Sequence, residues 1–268
     1  MMSTAKQPVA LEAVDISYAY GAYQAVRGVS FRVEAGEIVA LVGRNGAGKS
    51  TLLRCLAAWT PATGGEVRIL GLSVARHERA VRAHVVLVPD TPPFYDELSA
   101  WEHLQFVAQV RRLSGWEEDA AWLLRRFGLW RQREALPLVY SRGMRYKLAV
   151  CLALLAQPRV LLLDEPFGPL DPVSADLLWD DLRSYRGEGM AVLLSSHQLP
   201  PRAQPDRYVV LEEGEVIAEG DGAALRQSLD VDDLTLDSLL RAALAAHRQD
   251  EALDLDLDLD LDSDDDDV

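Results

Sequence analysis

The chain has 268 residues, 49% of them hydrophobic, which is enough to bury a sizeable core. Its longest stretch without Asp, Glu, Lys or Arg is 13 residues, 189–201, short of the roughly 20 a bilayer-spanning helix needs, and residues 1–10 hold no apolar run of the secretory kind, so a cytoplasmic chain that does not itself cross a membrane is expected. The net charge of -15 is mostly terminal: residues 250–268 carry 11 acids and no base, leaving 31 acids against 27 bases elsewhere and no basic stripe to favour nucleic acid.

In chain order, the first ninety residues read as short strands at 11–20, 29–33, 37–42 and 66–70, punctuated by Gly21, Gly36 and Gly64-Gly65. The apolar strand ending at Val42 runs directly into Gly43-Arg44-Asn45-Gly46-Ala47-Gly48-Lys49-Ser50-Thr51, which opens a helix expected to reach about Ala58. Each part of that segment has a physical task. Glycines let the loop turn tightly so that backbone N–H groups converge on a phosphate, and the helix N-terminus adds a partial positive charge. Lys49 then reaches the β- and γ-phosphates, and Ser50 offers a hydroxyl to Mg²⁺. The whole run from Gly43 to Thr51 is therefore a nucleotide-binding candidate.

From residue 99 to about 156 the apolar period becomes helical, with Leu104, Val107, Ala108 and Val110 on one face and Trp122, Leu123 and Phe127 on the next. Continuous apolar runs at 160–163 and 191–194 fit strands buried on both faces of a parallel sheet, with a helical stretch at 173–185 between them. The first run ends in Asp164-Glu165-Pro166. Alone, such a pair reads as a solvated strand end; beside a phosphate-holding loop, Asp164 is placed to hold Mg²⁺ through water and Glu165 to orient and polarise the attacking water. A strand pair at 208–212 and 216–219 closes the core, and a short amphipathic helix at about 233–247 follows. The Leu-Asp alternation over 253–262, with the run Asp264 to Asp267, predicts a disordered, solubilising tail, because a strand with one all-Asp face repels itself. Cys55 and Cys151 sit in apolar helical patterns and read as buried thiols in a reducing compartment.

Over residues 11–222 the order of these motifs resembles the nucleotide-binding domain of the ABC ATPase family. Tyr140-Ser141-Arg142-Gly143-Met144 occupies the place of that family's Leu-Ser-Gly-Gly-Gln signature, just ahead of a helix expected at about 145–156. Gly168-Pro169-Leu170-Asp171 resembles its D-loop, and Ser195-Ser196-His197 resembles its switch histidine. Tyr20 resembles the aromatic that stacks on adenine, although Tyr18 and Tyr23 are close by. The resemblance implies an α/β P-loop NTPase with a mainly parallel sheet core, an antiparallel β subdomain and an inserted α-helical subdomain. The corresponding division is 1–98 for the β subdomain and phosphate loop, 99–156 for the helical subdomain, 157–225 for the rest of the core, 226–249 for a C-terminal helix and 250–268 for the tail.

The same resemblance implies ATP and Mg²⁺ as cofactors, with Lys49, Glu165 and His197 as catalytic residues and Ser50, Asp90 and Asp164 as metal ligands. It implies a head-to-tail homodimer or heterodimer of ATPase subunits, in which Ser141 and Gly143 of one chain contact the γ-phosphate held by the other. A separately encoded transmembrane permease, more often an exporter, would be driven from the inner face of the membrane. Departures from the family pattern occur at several places: Arg142 replaces the first signature glycine and Met144 its glutamine, Phe167 and Pro169 depart near the D-loop, and Asp90, in Val88-Pro89-Asp90-Thr91-Pro92-Pro93, stands where the family usually has a metal-ligating glutamine. An ATPase of the same superfamily acting on nucleic acid or ribosomes is the alternative. Such chains usually carry two cassettes, a long coiled-coil insertion or zinc fingers, whereas this one has a single cassette, an insert of about sixty residues and two isolated cysteines. A silent ATP-binding regulator would require loss of Lys49, Glu165 or His197, all of which are present.

Overall fold

The computed structural model of the protein describes residues 7–230 and 235–262, with side chains through residue 249. Two sheets stand at its centre. A hairpin of β1 (Val9–Tyr20) and β2 (Tyr23–Glu34), with β4 (Gly64–Ile69) and β5 (Leu72–Ser73), forms an antiparallel sheet of order β2-β1-β4-β5. The second sheet has six strands in the order β10-β9-β3-β8-β7-β6. Its members are β3 (Ile38–Val42), β6 (Val85–Val88), β7 (Val160–Asp164), β8 (Ala191–Ser196), β9 (Arg207–Glu212) and β10 (Glu215–Gly220). All of its pairings are parallel except the β9–β10 hairpin at one edge.

The continuous apolar runs follow from burial on both faces. Along β3, Ile38, Ala40 and Val42 face one apolar cluster while Val39 and Leu41 face another, and β7 and β8 divide in the same way. The first cluster includes the helical subdomain: α3 (Ala100–Arg111), α4 (Trp116–Arg126) and α5 (Arg142–Leu155). The second joins the six-stranded sheet to the antiparallel one and to α1 (Lys49–Leu56). α3 begins with a full capping box, Ser99 accepting from the Glu102 N–H and Glu102 from the Ser99 N–H. Arg126 at the end of α4 grips both carboxylate oxygens of buried Asp181, at 2.7 and 2.9 Å, and so ties the helical subdomain to α6 (Pro172–Gly187). Burial pushes the Asp181 carboxyl up, and the Arg126 contact opposes that shift. The two cysteines are buried thiols on α1 and α5; burial alone pushes Cys55 up to about 11, and Cys151 is raised further, again chiefly by burial.

Several elements differ from the expected ones. β2 starts at Tyr23, not at residue 29, because Gly28 (φ +57°) and nearby register shifts break the alternation without ending the strand. α2 (Val74–Arg82) was absent from the sequence reading; only Val81 of that helix is buried, and charged residues make up most of its pattern. α5 begins at Arg142, three residues earlier than expected, with Ser141 as its N-cap. After α7 (Gly222–Ser228), α8 (Leu236–Asp262) continues into the Leu-Asp repeat, where a disordered tail had been expected from residue 250. Extending an established helix needs no new nucleus, which removes the main cost of continuing it. Residues 233–234, where the last helix was expected to begin, and 263–268 lie outside the described residues. Among the described residues, no helix is long and apolar enough to cross a membrane.

Candidate nucleotide site

The phosphate-loop candidate lies between the end of β3 and the start of α1. Its glycines are required by contact as well as by conformation. Gly48 caps α1 at φ +103°, and a Cβ there would run into the Ala25 carbonyl oxygen; one on Gly43 would meet the carbonyl oxygen of Leu211. Backbone bonds from the Arg27 N–H to the Gly214 oxygen and from the Gly214 N–H to the Ala47 oxygen bind the loop to the turn between β9 and β10. Its backbone is held in place on several sides by the protein itself.

Lys49 is only 6% exposed, and its ammonium donates to the carbonyl oxygens of Gly43 at 2.8 Å and Arg44 at 3.2 Å. It also lies 3.4 Å from Oε1 of Glu165. The other oxygen, Oε2, contacts Nδ1 of His197 at 2.7 Å and accepts from the His197 backbone N–H at 3.2 Å. The three residues expected from the sequence to act in catalysis are thus joined through one carboxylate. Glu165 occupies the left-handed region at φ +48°, which costs a non-glycine residue about 1 kcal/mol or more. A buried hydroxyl supports that conformation: Ser195 Oγ donates to Asp164 Oδ1 at 2.7 Å and accepts from the Glu165 N–H at 3.0 Å. Ser195 was singled out in sequence only as part of the switch motif; its bridging role depends on β7 and β8 being neighbours in the sheet.

Asp164 ends β7 at 4% exposure, a single buried carboxylate among apolar strands. Tyr146 on α5 is completely buried, and its hydroxyl has no hydrogen-bond partner among the described residues. Burial pushes its phenol well up, and the charges of Asp164, Asp90 and Glu165 add to the shift. Tyr20 projects from the end of β1, 49% exposed, with its hydroxyl 3.4 Å from Thr51 Oγ1 and its ring edge-on to Tyr18 at 4.9 Å. Beside the loop, a groove of about 570 Å³ is lined by Val42 to Ala47, His197, Glu212 and, from α8, Leu236 and Leu240. The closing of this groove by α8 was not legible in the sequence.

Ser141 and Gly143 stand apart from that groove, at the start of α5. Ser141 accepts from the Met144 N–H at 3.2 Å, and a Cβ on Gly143 would come within 2.8 Å of the Pro169 carbonyl oxygen. Further along α5, Lys147 pairs with Asp171 at 2.8 Å. The Lys147 bond, with those from Ser174, holds the Asp171 carboxyl well below the usual carboxylate range. Two of the departures from the family pattern meet: Arg142 Nη2 donates to Asp90 Oδ1 at 2.7 Å. Their opposite charges were the only hint of this in the sequence.

A model of the ABC transporter family matches residues 26–168. The chain is 32% identical over 232 residues to the ABC-type transporter ATP-binding protein EcsA of Bacillus subtilis (strain 168), covering 85% of this chain and 94% of that protein. It is 36% identical over 219 residues to the Nod factor export ATP-binding protein I of Rhizobium meliloti (strain 1021), covering 81% of this chain but only 65% of that longer protein. Among solved structures, an ATP-binding subunit of an ABC transporter superposes with a TM-score of 0.82 at 33% identity, covering 88% of this chain and 99% of that one.

Proposed function

Because the chain belongs to the ABC transporter family, as an ATP-binding and ATP-hydrolysing subunit, we propose that Lys49, Glu165 and His197 carry the hydrolytic step in a site completed by Ser141 and Gly143 of a second subunit. The observation that carries this reading is the Glu165 carboxylate, held between the Lys49 ammonium and the His197 ring. In that position it can accept a hydrogen bond from a water aimed at the terminal phosphate, while Lys49 balances the charge of the phosphates and His197 keeps the carboxylate oriented. The N–H groups from Gly43 to Thr51 form the phosphate cradle, and Tyr20, beside Thr51, is the stacking surface for the base.

The donor set suits Mg²⁺. Ser50 offers a hydroxyl in the first turn of α1 and Asp164 one buried carboxylate, both hard oxygen donors, and this ion is commonly held by one or two carboxylates together with phosphate oxygens and waters. When bound, it neutralises charge on the β- and γ-phosphates. Asp90, the third expected ligand, is engaged by Arg142.

Subunits of this family work in pairs against a permease. Here the permease face is an apolar groove between the sheet and the helical subdomain, lined by Trp59, Val88, Pro92, Phe94, Phe106 and Val110. Several of these side chains are large, apolar and exposed, which favours a partner that covers them. On this reading the chain works at the cytoplasmic side of a membrane spanned by another polypeptide. Export is the favoured direction, supported by the export protein of Rhizobium among its relatives. The test is Mg-ATP hydrolysis by the wild type beside Glu165→Gln, with size-exclusion chromatography of both in ATP. Hydrolysis should fall about a hundredfold or more in the variant, and the variant should elute as a stable dimer. A variant that turns over ATP like the wild type would remove Glu165 from the reaction.

A further inference from the structure

We propose that Arg142 and Asp90 act as one unit, a charge-matched latch that holds the loop of residues 89–95 against the first turn of α5 and is released when a triphosphate competes for the Arg142 guanidinium. Helix stability does not explain an arginine at this position. Arg142 is the first residue of α5, where the helix dipole disfavours a cation, and no acid lies in the same turn to offset it. Its partner comes instead from a separate loop 52 residues earlier in the chain.

The geometry suits exchange better than permanent support. The contact uses one guanidinium nitrogen and one carboxylate oxygen, and both side chains are substantially exposed, 67% for Arg142 and 41% for Asp90. Exposed, single-contact ion pairs contribute little to stability. A phosphate chain carries several charges and accepts the guanidinium fork through two oxygens at once, so it outcompetes a lone carboxylate. The latch rests on the reading above that Ser141 and Gly143 face the nucleotide of a second subunit, since Arg142 lies between them.

The loop held in this way has further contacts that would carry its movement onward. Arg145, one residue past Met144, reaches the Pro92 carbonyl oxygen at 3.5 Å and lies 5.5 Å over the Phe94 ring. On the loop's other side, the Tyr95 N–H donates to Nε2 of His103 on α3 at 3.0 Å. Pro92, Pro93 and Phe94 form part of the wall of the apolar groove. Loss of the Arg142–Asp90 contact removes the only ion pair between the loop and α5 among the described residues. The arrival of a triphosphate at the signature is thereby converted into freedom of the groove wall.

Hydrogen exchange on the full-length chain tests this, with residues 90–96 followed in a Glu165→Gln background so that added ATP is not consumed. Without nucleotide the Tyr95 amide, hydrogen-bonded to His103, should be protected, and ATP should speed its exchange about threefold, the scale of an exposed ion pair. Asp90→Ala and Arg142→Ala should each show the faster rate without nucleotide. The charge-reversed pair Asp90→Arg with Arg142→Asp should restore protection without nucleotide yet give no response to ATP, because an acid now meets the phosphates. Unchanged exchange in Arg142→Ala, or an undiminished ATP response in the reversed pair, would overturn the proposal. Titration with a fluorescent ATP analogue separates the two readings. A chain that fails to bind the analogue, or that binds ATP but stays monomeric in size-exclusion chromatography, breaks the shared-site reading, and the nucleotide-free comparison of Arg142→Ala, Asp90→Ala and the reversed pair then decides the ion pair's hold on the loop.

Discussion

On the reading proposed above, the phosphate loop of one subunit and the signature turn of another meet at one nucleotide, and the two are built in opposite ways. The loop is bound into the core: Lys49 is buried, Gly43 and Gly48 are pressed against backbone carbonyls, and the acid pair at the end of β7 is braced by a buried serine. The signature turn is on the surface, with Ser141 and Arg142 exposed and Arg142 tied down by a solvent-accessible ion pair. Preorganisation serves the side that holds the charged ligand and orients its chemistry. Adaptability would serve a side that, as proposed, meets a second chain and parts from it again.

Substitutions on the two sides should differ in kind. The largest effect is expected from Gly48→Ala, which adds a Cβ where the Ala25 carbonyl already lies and keeps a left-handed backbone. Its cost should exceed about 2 kcal/mol, and isothermal titration should find nucleotide binding lost; ordinary affinity would show the loop to be far softer than its packing implies. Ser195→Ala should come next. It strands the Glu165 N–H and one oxygen of buried Asp164, worth about 1–3 kcal/mol in a denaturant melt. The drop in kcat should be about tenfold or more, with nucleotide affinity retained, because no phosphate-loop contact is touched. Smallest is Ser141→Ala, which removes the α5 cap bond to Met144 at about 1 kcal/mol. Single-chain ATP affinity should stay unchanged while ATP-driven dimerisation, read by analytical ultracentrifugation, weakens. Equal loss of both would erase the contrast between the two sides.

The same contrast governs what was legible in the sequence. The phosphate loop declares itself because its chemistry is contiguous: nine adjacent residues supply glycines, lysine and hydroxyls at fixed spacing. Asp164 and Glu165 are legible because an uninterrupted apolar strand ends in two acids. The doubly buried sheet could likewise be read from its runs, since β3, β7 and β8 expose neither face to water. What escaped reading depends on distant segments coming together. Arg142 and Asp90 are separate oddities until the fold makes them neighbours, and Ser195 gains its role only because β8 lies beside β7. α2 escaped for a different reason: only Val81 of it is buried, so its two-faced pattern is carried by charged side chains and not by an apolar stripe.

The two buried cysteines have a practical consequence. With its acidity suppressed to about 11, the Cys55 thiol offers almost no thiolate at neutral pH, and Cys151 offers still less. A thiol introduced at an exposed position would therefore be the fast-reacting one. The native chain, with neither cysteine replaced, is a ready substrate for attaching a spin label or fluorophore to either half of the nucleotide machinery.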